Sequence, residues 1–342
     1  MISDNKAKWA SCQRAAWIRV GALGDLLVGL ASLQEMHEFF PAAQVLVVGP
    51  KLWLEILDPQ MYPWIDRIAV VEKKKTVARV FKSNGKSWAE DVQQIQLSEL
   101  LTDFDAVVNT NIDSLRYGIQ AFRAGVKNRV GSASAINSAL YTHCSPFFGK
   151  DPLIHERDAA LLILEYATPG FSKFFRTLER NRRNLDHWIQ SSQLVKKWNE
   201  AGLPKAKIPD RERTQKLVGA SDYVLINPTS SRREKAWPAD KFLHLIQSIK
   251  PILAASKIVP VVIGSTQETD WLLEVAGGET ERAGVKIVQP NSIAELQDVV
   301  HFARALLTNT SSMQFVAASV GTKTLTLMGR ARPEIWGPLG PH

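Results

Sequence analysis

The sequence contains few of the residues that build disulfide frameworks or metal sites. Only two cysteines occur in 342 residues, and Cys12 and Cys144 lie far apart in the chain. A disulfide framework needs several cysteines, and a zinc site needs cysteines or histidines paired at short intervals. The seven histidines show no paired spacing either. We therefore expect neither kind of site, and we expect a protein of the reducing cytoplasm.

Long uncharged apolar runs are also missing. No run approaches the roughly 18 residues of a membrane-spanning helix. The N-terminal segment MISDNKAKWASCQRAA lacks the apolar centre of a signal peptide. We therefore expect a soluble protein that at most contacts the surface of a membrane.

The chain does have a globular composition with an excess of positive charge. Hydrophobic residues make up 45% and charged residues 22% of the sequence, which is enough to form a sizeable core. The length fits two domains of about 150 to 180 residues each. A net charge of +8 favours anionic partners such as nucleotides, phosphorylated glycans or acidic membranes. Because no motif provides a basic face with aromatic platforms, we do not expect nucleic-acid binding.

Short apolar runs alternate with amphipathic segments along both halves of the chain. In the first half the pattern predicts strands at 15–20, 44–48, 67–71 and 105–109, and helices at 26–40, 92–101 and 115–122. In the second half it predicts strands at 224–227, 258–263, 285–288, 305–308 and 324–328, and helices from 238 and 268 and at 293–302 and 311–320. Such alternation is typical of parallel, doubly wound sheets.

The break in this alternation suggests where the first domain ends. Residues 166–183 contain Pro169-Gly170 and then a cationic, aromatic segment, which we interpret as part of a linker. We predict two Rossmann-like α/β domains, residues 1–205 including the linker and residues 206–342. We expect them to face a central cleft that holds the ligand.

The basic stretch at residues 73–86 (KKKTVARVFKSNGK) has two interpretations. Charge runs usually form solvated loops. Alternatively, the apolar residues Val77, Val80 and Phe81 among the cations indicate a docking surface for an anionic acceptor or a membrane.

The first candidate site is the turn from Gly21 to Asp25. Its glycine spacing is not that of the dinucleotide-binding fingerprint. Two glycines permit a sharp turn and a close approach of a ligand to the start of the helix. Asp25 then either caps this helix or acts as a general base in the cleft.

The second candidate is the loop after the strand at 224–227. Ser230, Ser231 and the loop amides can donate hydrogen bonds to phosphate oxygens. Lys235 can neutralise the charge that develops on a departing nucleotide. Arg232 and Arg233 are further candidates or solvated cations, and an ordinary solvated loop is the alternative for the whole segment.

Two more polar turns follow strands in the second half. Residues Thr310, Ser311 and Ser312 open a helix, which leaves free amides and a positive dipole end for an anion, although an ordinary N-cap explains them equally. Two such turns in one domain favour a phosphate site. At 264–268, Gln267 or Glu268 can bind ribose hydroxyls, whereas Glu268 alternatively is a first-turn acid.

Together these motifs resemble glycosyltransferase family 9, the ADP-heptose:lipopolysaccharide heptosyltransferases. The similar segments are IRVGALGDLLVGLASLQEMHEFFP, HERDAALLILE, INPTSSRREKAWP, and the run from NTSSMQFVAASVG to MGRARPEIWGP. The more specific of them contain the Gly24-Asp25 turn and the Lys235-x-Trp237-Pro238 loop. The resemblance implies a two-domain GT-B fold and inverting sugar transfer without a metal ion. It also implies that the second domain binds the nucleotide and the first binds the acceptor.

The resemblance assigns roles to individual positions. Asp25 is similar to the catalytic base, and Lys235, together with Ser230 and Ser231, is similar to the phosphate contacts. The expected nucleotide-sugar contacts are Ser230, Ser231, Gln267, Glu268, Thr310, Ser311 and Ser312. The expected acceptor contacts are Gly24 and the basic residues Lys73, Lys74 and Lys75.

The chain departs from the family pattern at the last of these turns. The family usually has Asp, then Ser or Thr, then Gly, followed by His, whereas this chain has Thr310, Ser311, Ser312 and then Phe315. A threonine offers the donor sugar one neutral contact, and Ser312 adds a side chain where backbone would approach the phosphates.

We expect transfer of a heptose from ADP-heptose, without a cofactor, to an anionic glycolipid of the lipopolysaccharide type. The expected place is the cytoplasm or the cytoplasmic face of the inner membrane. The alternatives are a transferase for another nucleotide sugar and a GT-B nucleotide-binding or assembly protein without transfer activity.

Overall fold

The computed structural model describes residues 11–72, 75–111, 115–132, 137–145, 154–166, 168–169, 189–205, 209–276 and 285–339. The chain divides into two compact units, Met1–Pro204 and Lys205–His342. The sequence places the domain boundary between residues 205 and 206.

The N-terminal unit is built on a nine-stranded sheet. Its strands are β1 (Arg14–Ile18), β2 (Gln44–Gly49), β3 (Ile65–Val71), β4 (Val77–Ser83), β5 (Trp88–Gln96), β6 (Ala106–Asn109), β7 (Asn128–Ser132), β8 (His143–Ser145) and β9 (Thr168–Pro169). They lie in the order β5-β4-β3-β2-β1-β6-β7-β8-β9. The five central pairs, β3-β2, β2-β1, β1-β6, β6-β7 and β7-β8, are parallel. At the two edges, β4 and β5 on one side and β9 on the other pair antiparallel.

Helices connect the parallel strands of this unit. They are α1 (Leu23–Phe39), α2 (Trp53–Ile56), α3 (Leu97–Leu100), α4 (Leu115–Arg123), α5 (Glu156–Tyr166) and α6 (Gln193–Ala201). Helix α1 is buried over most of its length because it packs against α5 as well as the sheet. One core cluster joins the apolar residues of β1, β2, β3 and β6 to those of α3 and α4.

Two predictions for this unit are wrong. Residues 77–83 of the basic stretch form strand β4 and not a solvated loop, because Ala78 and Val80 alternate with exposed cations and bury against the sheet. The predicted helix at 92–101 is strand β5 up to Gln96, and only Leu97–Leu100 is helical. Its apolar residues Val92 and Ile95 face the neighbouring strand β4, where tertiary pairing decides the conformation.

The C-terminal unit has a five-stranded sheet in which every neighbouring pair is parallel. Its strands are β10 (Tyr223–Asn227), β11 (Val259–Ile263), β12 (Lys286–Val288), β13 (Leu306–Asn309) and β14 (Thr324–Leu327), in the order β12-β11-β10-β13-β14. Its helices are α7 (Arg211–Val218), α8 (Ala239–Ala255), α9 (Thr269–Ala276), α10 (Ile293–His301), α11 (Ser312–Val320) and α12 (Pro333–Trp336).

Both units therefore confirm the prediction of doubly wound α/β sheets. The predicted linker at 166–183 lies almost entirely outside the described residues. In the parts of the chain that are described, we find no helix with the length and apolar character needed to cross a membrane.

Candidate functional site

In both sheets the strand order reverses beside the first strand of the unit. Strand β1 has β2 on one side and β6 on the other, and β10 has β11 on one side and β13 on the other. The loops after the two flanking strands then leave in opposite directions, so that a crevice opens at the carboxyl ends of the strands. The Gly21–Asp25 turn follows β1, and the loop with Ser230 and the helix start at Ser311 follow β10 and β13. The sequence-predicted residues of each unit thus lie at its switch point.

In the C-terminal unit, Asn227 joins the ends of three strands. Its amide nitrogen donates to Thr229 Oγ1 (2.9 Å) and to the carbonyl oxygen of Ile263 (2.9 Å). Its amide oxygen accepts from the hydroxyls of Thr308 (2.9 Å) and Ser311 (3.2 Å). All four hydrogen-bonding positions of this buried carboxamide are used. Asn227 therefore holds the Ser230 loop and the start of α11 in one rigid arrangement.

A second buried asparagine, Asn309, closes the loop between β10 and α8. Its amide nitrogen donates to the carbonyl oxygen of Pro228 (2.6 Å), and its amide oxygen accepts from the backbone N–H of Trp237 (2.9 Å). These two contacts lie at the two ends of the loop that carries Ser230, Ser231 and Lys235. The loop is consequently anchored at both ends to the last residue of β13.

The start of α11 is arranged to bind an anion. Ser311 is the N-cap, and its side-chain oxygen accepts from the backbone N–H of Met313 (3.3 Å). The other first-turn amides have no acceptor within the helix, and they lie at the positive end of its dipole. Ser312 is the first helical residue and is partly exposed. Hydroxyl and amide donors of this kind, at the end of a strand, suit a phosphate group.

The two loops also touch each other through Ser230 and Thr310. Ser230 is buried, and its hydroxyl donates to the carbonyl oxygen of Thr310 (3.1 Å). The hydroxyl of Thr310 turns to the carbonyl oxygens of Leu327 (3.3 Å) and Met328 (3.2 Å) at the end of β14. Both hydroxyl groups therefore donate their protons to carbonyl oxygens of the protein, whereas Ser231 is exposed.

The cations of this loop differ in their partners. Arg233 pairs with Glu274 (2.6 Å) and lies over the ring of Trp271 (5.1 Å to the centroid). Arg232 lies 3.8 Å from Glu234. Lys235 is exposed and makes no ion pair with any described residue. Lys235 is thus the cation of the loop that is available to an anionic ligand.

The turn after β11 has a mainly structural explanation. Glu268 accepts from the backbone N–H (2.7 Å) and the hydroxyl (2.8 Å) of Ser265, which completes a capping box. A Cβ on Gly264 would lie 2.8 Å from a methyl group of Leu272, so this glycine is needed for helix packing. Gln267 is exposed and Glu268 partly exposed, and a role of either residue in ribose binding stays a prediction.

In the N-terminal unit, the Asp25 carboxylate folds back over its own turn. One carboxylate oxygen accepts the backbone N–H of Ala22 (2.8 Å), the capping contact that the sequence suggests. A Cβ on Gly21 would lie 2.5 Å from both Cβ and Oδ2 of Asp25, so only glycine permits this conformation. Asp25 is partly exposed, and Gly24 is buried beneath the turn. The capping hydrogen bond occupies one lone pair of the carboxylate. The remaining lone pairs can still accept a proton from a bound hydroxyl group.

Arg19, which directly follows strand β1, is buried. Its side chain donates to the carbonyl oxygens of Asp25 (3.1 Å) and Thr110 (2.7 Å) and pairs with Glu156 (3.2 Å). Next to it, the side-chain oxygen of Asn111 accepts from the backbone N–H of Val20 (2.9 Å). The Gly21–Asp25 turn is therefore tied both to the end of β6 and to α5.

The basic stretch has a different character from the one expected. Lys73 and Lys74 lie outside the described residues. Lys75 pairs with Glu72, and Arg79 forms a two-point ion pair with Glu90 (2.6 Å for the shorter contact). Part of the positive charge of the basic stretch is thus matched by the carboxylates of Glu72 and Glu90.

Sequence reasoning missed Asn227, Asn309 and Arg19. Each is a polar residue at the end of a largely apolar strand or directly after one, and that position is the signal that identifies them. Among the described residues, no group of three or more His, Cys, Asp or Glu side chains is placed to hold a metal ion.

Comparison with known families places the second part of the chain. Residues 177–342 match the model of glycosyltransferase family 9 (heptosyltransferase). This match confirms the resemblance that the motifs indicate, and it confirms the prediction of a glycosyltransferase at the level of the family. No curated protein matches the sequence significantly.

Solved structures show the same fold over nearly the whole chain. The glycosyl transferase family 9 protein of Veillonella parvula is 17% identical, with a TM-score of 0.69, covering 95% of this chain and 83% of its own. ADP-heptose lps heptosyltransferase II of E. coli is 16% identical, with a TM-score of 0.66 and coverages of 96% and 88%. The E. coli heptosyltransferase WaaC with ADP is 16% identical, with a TM-score of 0.58 and coverages of 94% and 89%. These likenesses confirm the GT-B fold.

Proposed function

Residues 177–342 match the model of glycosyltransferase family 9, and from this match we propose that the chain transfers a heptose from ADP-heptose to an acidic glycan acceptor. In this proposal the reaction inverts the anomeric carbon and needs neither a cofactor nor a metal ion. The observation that carries it is the switch point of the C-terminal unit. There Asn227 and Asn309 hold a hydroxyl-rich loop, which carries the exposed Lys235, and a helix start at the ends of adjacent strands.

The donor diphosphate would bind to the start of α11. The free first-turn amides would donate to its oxygens, and the exposed hydroxyl groups of Ser231 and Ser312 would add further donors. Lys235 would supply the positive charge that stabilises the leaving diphosphate as the glycosidic bond breaks. Gln267 or Glu268, on the neighbouring strand end, would contact the ribose.

The acceptor would be activated in the N-terminal unit. We propose that Asp25 removes the proton of the acceptor hydroxyl while that oxygen attacks the anomeric carbon on the face opposite the diphosphate. The bond to the diphosphate breaks as the new glycosidic bond forms, and ADP leaves with the electron pair. Gly24 would let the acceptor approach the turn closely.

The acceptor that the charge balance favours is an anionic glycolipid of the lipopolysaccharide type. The net charge of +8 supports this choice, and Lys73, Lys74 and Lys75 are the proposed contacts. We place the protein in the cytoplasm, with peripheral contact to the inner membrane where that lipid is found. This part of the proposal depends on charge alone.

A different donor sugar is the second candidate. It is favoured by Thr310, whose hydroxyl proton points to Leu327 and Met328 of the neighbouring strand. Phe315 is buried beside Trp336 (6.5 Å between ring centroids), so neither position offers a charged contact to a sugar. A nucleotide-binding protein without transfer activity is compatible with the same two residues.

Calorimetric titration with ADP, UDP, GDP and ADP-heptose tests the proposal. We expect ADP to bind more tightly than UDP and GDP, and ADP-heptose to bind at least as tightly as ADP. A preference for UDP or GDP would contradict the donor assignment. If ADP-heptose binds no more tightly than ADP and no ADP is released from it over time, the result would favour a nucleotide-binding protein without transfer activity.

A further inference from the structure

We propose that Arg19, held by Glu156, is a positioning residue that fixes the first turn of α1 and so aligns the Asp25 carboxylate with the acceptor hydroxyl. The inference rests on the proposed function, because it takes Asp25 as the base. It assigns a role to a buried ion pair that takes no part in the proposed diphosphate binding.

The guanidinium group of Arg19 connects three elements at the switch point of the N-terminal unit. Nε donates to the carbonyl oxygen of Asp25 in α1 (3.1 Å), and Nη1 donates to that of Thr110 after β6 (2.7 Å). Nη2 donates to Oε2 of Glu156 in the first turn of α5 (3.2 Å). Because the guanidinium group is planar and rigid, a shift of one of its three acceptors also changes the geometry of the other two hydrogen bonds.

Burial makes this arrangement demanding. Arg19 is only 3% exposed, so its charge depends on a protein partner. Within the described residues, Glu156 is the carboxylate that pairs with it, and the Glu156 side chain keeps 26% of its exposure. The ion pair thus reaches from the interior to the surface. At its buried end, Arg19 donates a hydrogen bond to the main-chain carbonyl oxygen of Asp25.

The contact with Asp25 is made to the main chain and not to the carboxylate. Arg19 therefore determines where the turn lies and leaves the carboxylate free for the capping contact and for substrate. A misplacement of about 1 Å costs an enzyme on the order of 100-fold in rate. The effect should appear in kcat, because the proposed donor contacts belong to the other unit.

The chain contains a matched control in Arg157. This arginine is also buried, at 2% exposure, and follows Glu156 in the sequence. It donates to Asp158 (2.7 Å), to the carbonyl oxygen of Trp198 (3.0 Å) and to Asn199, and none of its hydrogen bonds among the described residues reaches the Asp25 turn. Replacing either arginine disturbs a buried network of similar size, but only one of these networks holds Asp25.

The test compares Arg19→Lys, Arg19→Gln, Glu156→Gln, Arg157→Lys and Asp25→Asn with the wild-type chain. We would measure ADP release from ADP-heptose with deacylated, Kdo-bearing lipid A as acceptor, thermal unfolding, and hydrogen exchange of residues 20–30. We expect Arg19→Lys to lower kcat about 10- to 100-fold, with the KM for ADP-heptose within about twofold. Glu156→Gln should have a smaller effect because the amide oxygen still accepts a hydrogen bond. Residues 20–30 should exchange faster in Arg19→Lys.

Arg157→Lys should lower the unfolding temperature but leave the kcat of the folded protein and the exchange of residues 20–30 unchanged. An equal loss of kcat in Arg19→Lys and Arg157→Lys would overturn the proposal. So would a kcat of Arg19→Lys equal to that of wild type when Asp25→Asn is slow. If wild type releases no ADP, the proposed function itself fails. If wild type releases ADP and Asp25→Asn is as fast, transfer stands but Asp25 is not the base, and the role of Arg19 fails with it.

Discussion

The side-chain oxygen of Asn309 accepts the backbone N–H of Trp237 at 2.9 Å, although the two residues are 72 positions apart in the chain. The same carboxamide donates to Pro228 at the other end of the loop. One buried side chain thus determines the conformation of the segment that carries Lys235. This relationship gives the first prediction.

Asn309→Ala should release both ends of this loop. Leaving the Pro228 carbonyl and the Trp237 amide without partners should lower the free energy of unfolding by about 1–3 kcal/mol. Affinity for ADP should fall as well, because the loop must then be ordered by the ligand. Chemical denaturation and calorimetry measure the two effects. Asn291→Ala, at an exposed asparagine of the same unit, is the control and should change neither.

Lys235→Gln should weaken ADP binding without changing stability. Charge-assisted hydrogen bonds contribute about 1.5–3 kcal/mol, which corresponds to a loss of roughly 10- to 100-fold in affinity. The loss should be larger for ADP than for AMP, which lacks the second phosphate. Lys241→Gln makes the same change of charge at an exposed position of α8 and should have little effect. Equal losses in the two variants would show that only net charge matters.

Asp25→Asn should reduce sugar transfer while nucleotide binding persists. The asparagine oxygen can still accept the N–H of Ala22, so the start of α1 stays capped. Loss of a general base typically lowers the rate about 10²- to 10⁴-fold. Initial rates of ADP release and calorimetry with ADP measure the two quantities. Unchanged turnover would leave Asp25 with the capping role alone.

His37 should make the stability of the protein depend on pH. Burial lowers the pKa of His37 below 6.5, and the ring stacks on Trp64 at 4.2 Å with Nδ1 buried and unpartnered. The unfolded chain therefore binds this proton more readily than the folded one, so stability is present above pH 6.5 and is lost as the pH falls through the lowered pKa. Thermal unfolding between about pH 7 and pH 5 measures this loss. His37→Phe keeps an aromatic ring and should reduce the slope; an identical slope in the variant would assign it to other groups.

The two cysteines should be inert in the folded protein. Burial raises the pKa of Cys12 to about 11 and that of Cys144 to about 12. Because the thiolate is the reactive form, iodoacetamide at about pH 8 should modify neither residue in the native protein and both in urea. Mass spectrometry of the digested protein distinguishes the two sites. Rapid native labelling of either residue would show that its surroundings open.

Local patterns in the sequence determined most of the fold. The parallel strands of the C-terminal unit and the helices after them follow from apolar runs that alternate with amphipathic segments, since burial on both faces of a parallel sheet leaves that signature. The polar turns at Asp25, Ser230 and Ser311 were identifiable for the same reason. They come directly after such runs, where the carboxyl edge of a sheet must lie.

Only the tertiary structure decided which of these turns meet and what holds them. The second half of strand β5, residues 92–96, was predicted as part of a helix because its pairing with β4 is a non-local contact that overrides the local pattern. In the same way, Asn227, Asn309 and Arg19 gain their importance from distant partners, which lie up to 137 positions away in the chain. A buried polar side chain must satisfy its hydrogen bonds wherever the fold places a partner. The sequence supplies such a residue, and the order of the strands selects the partner.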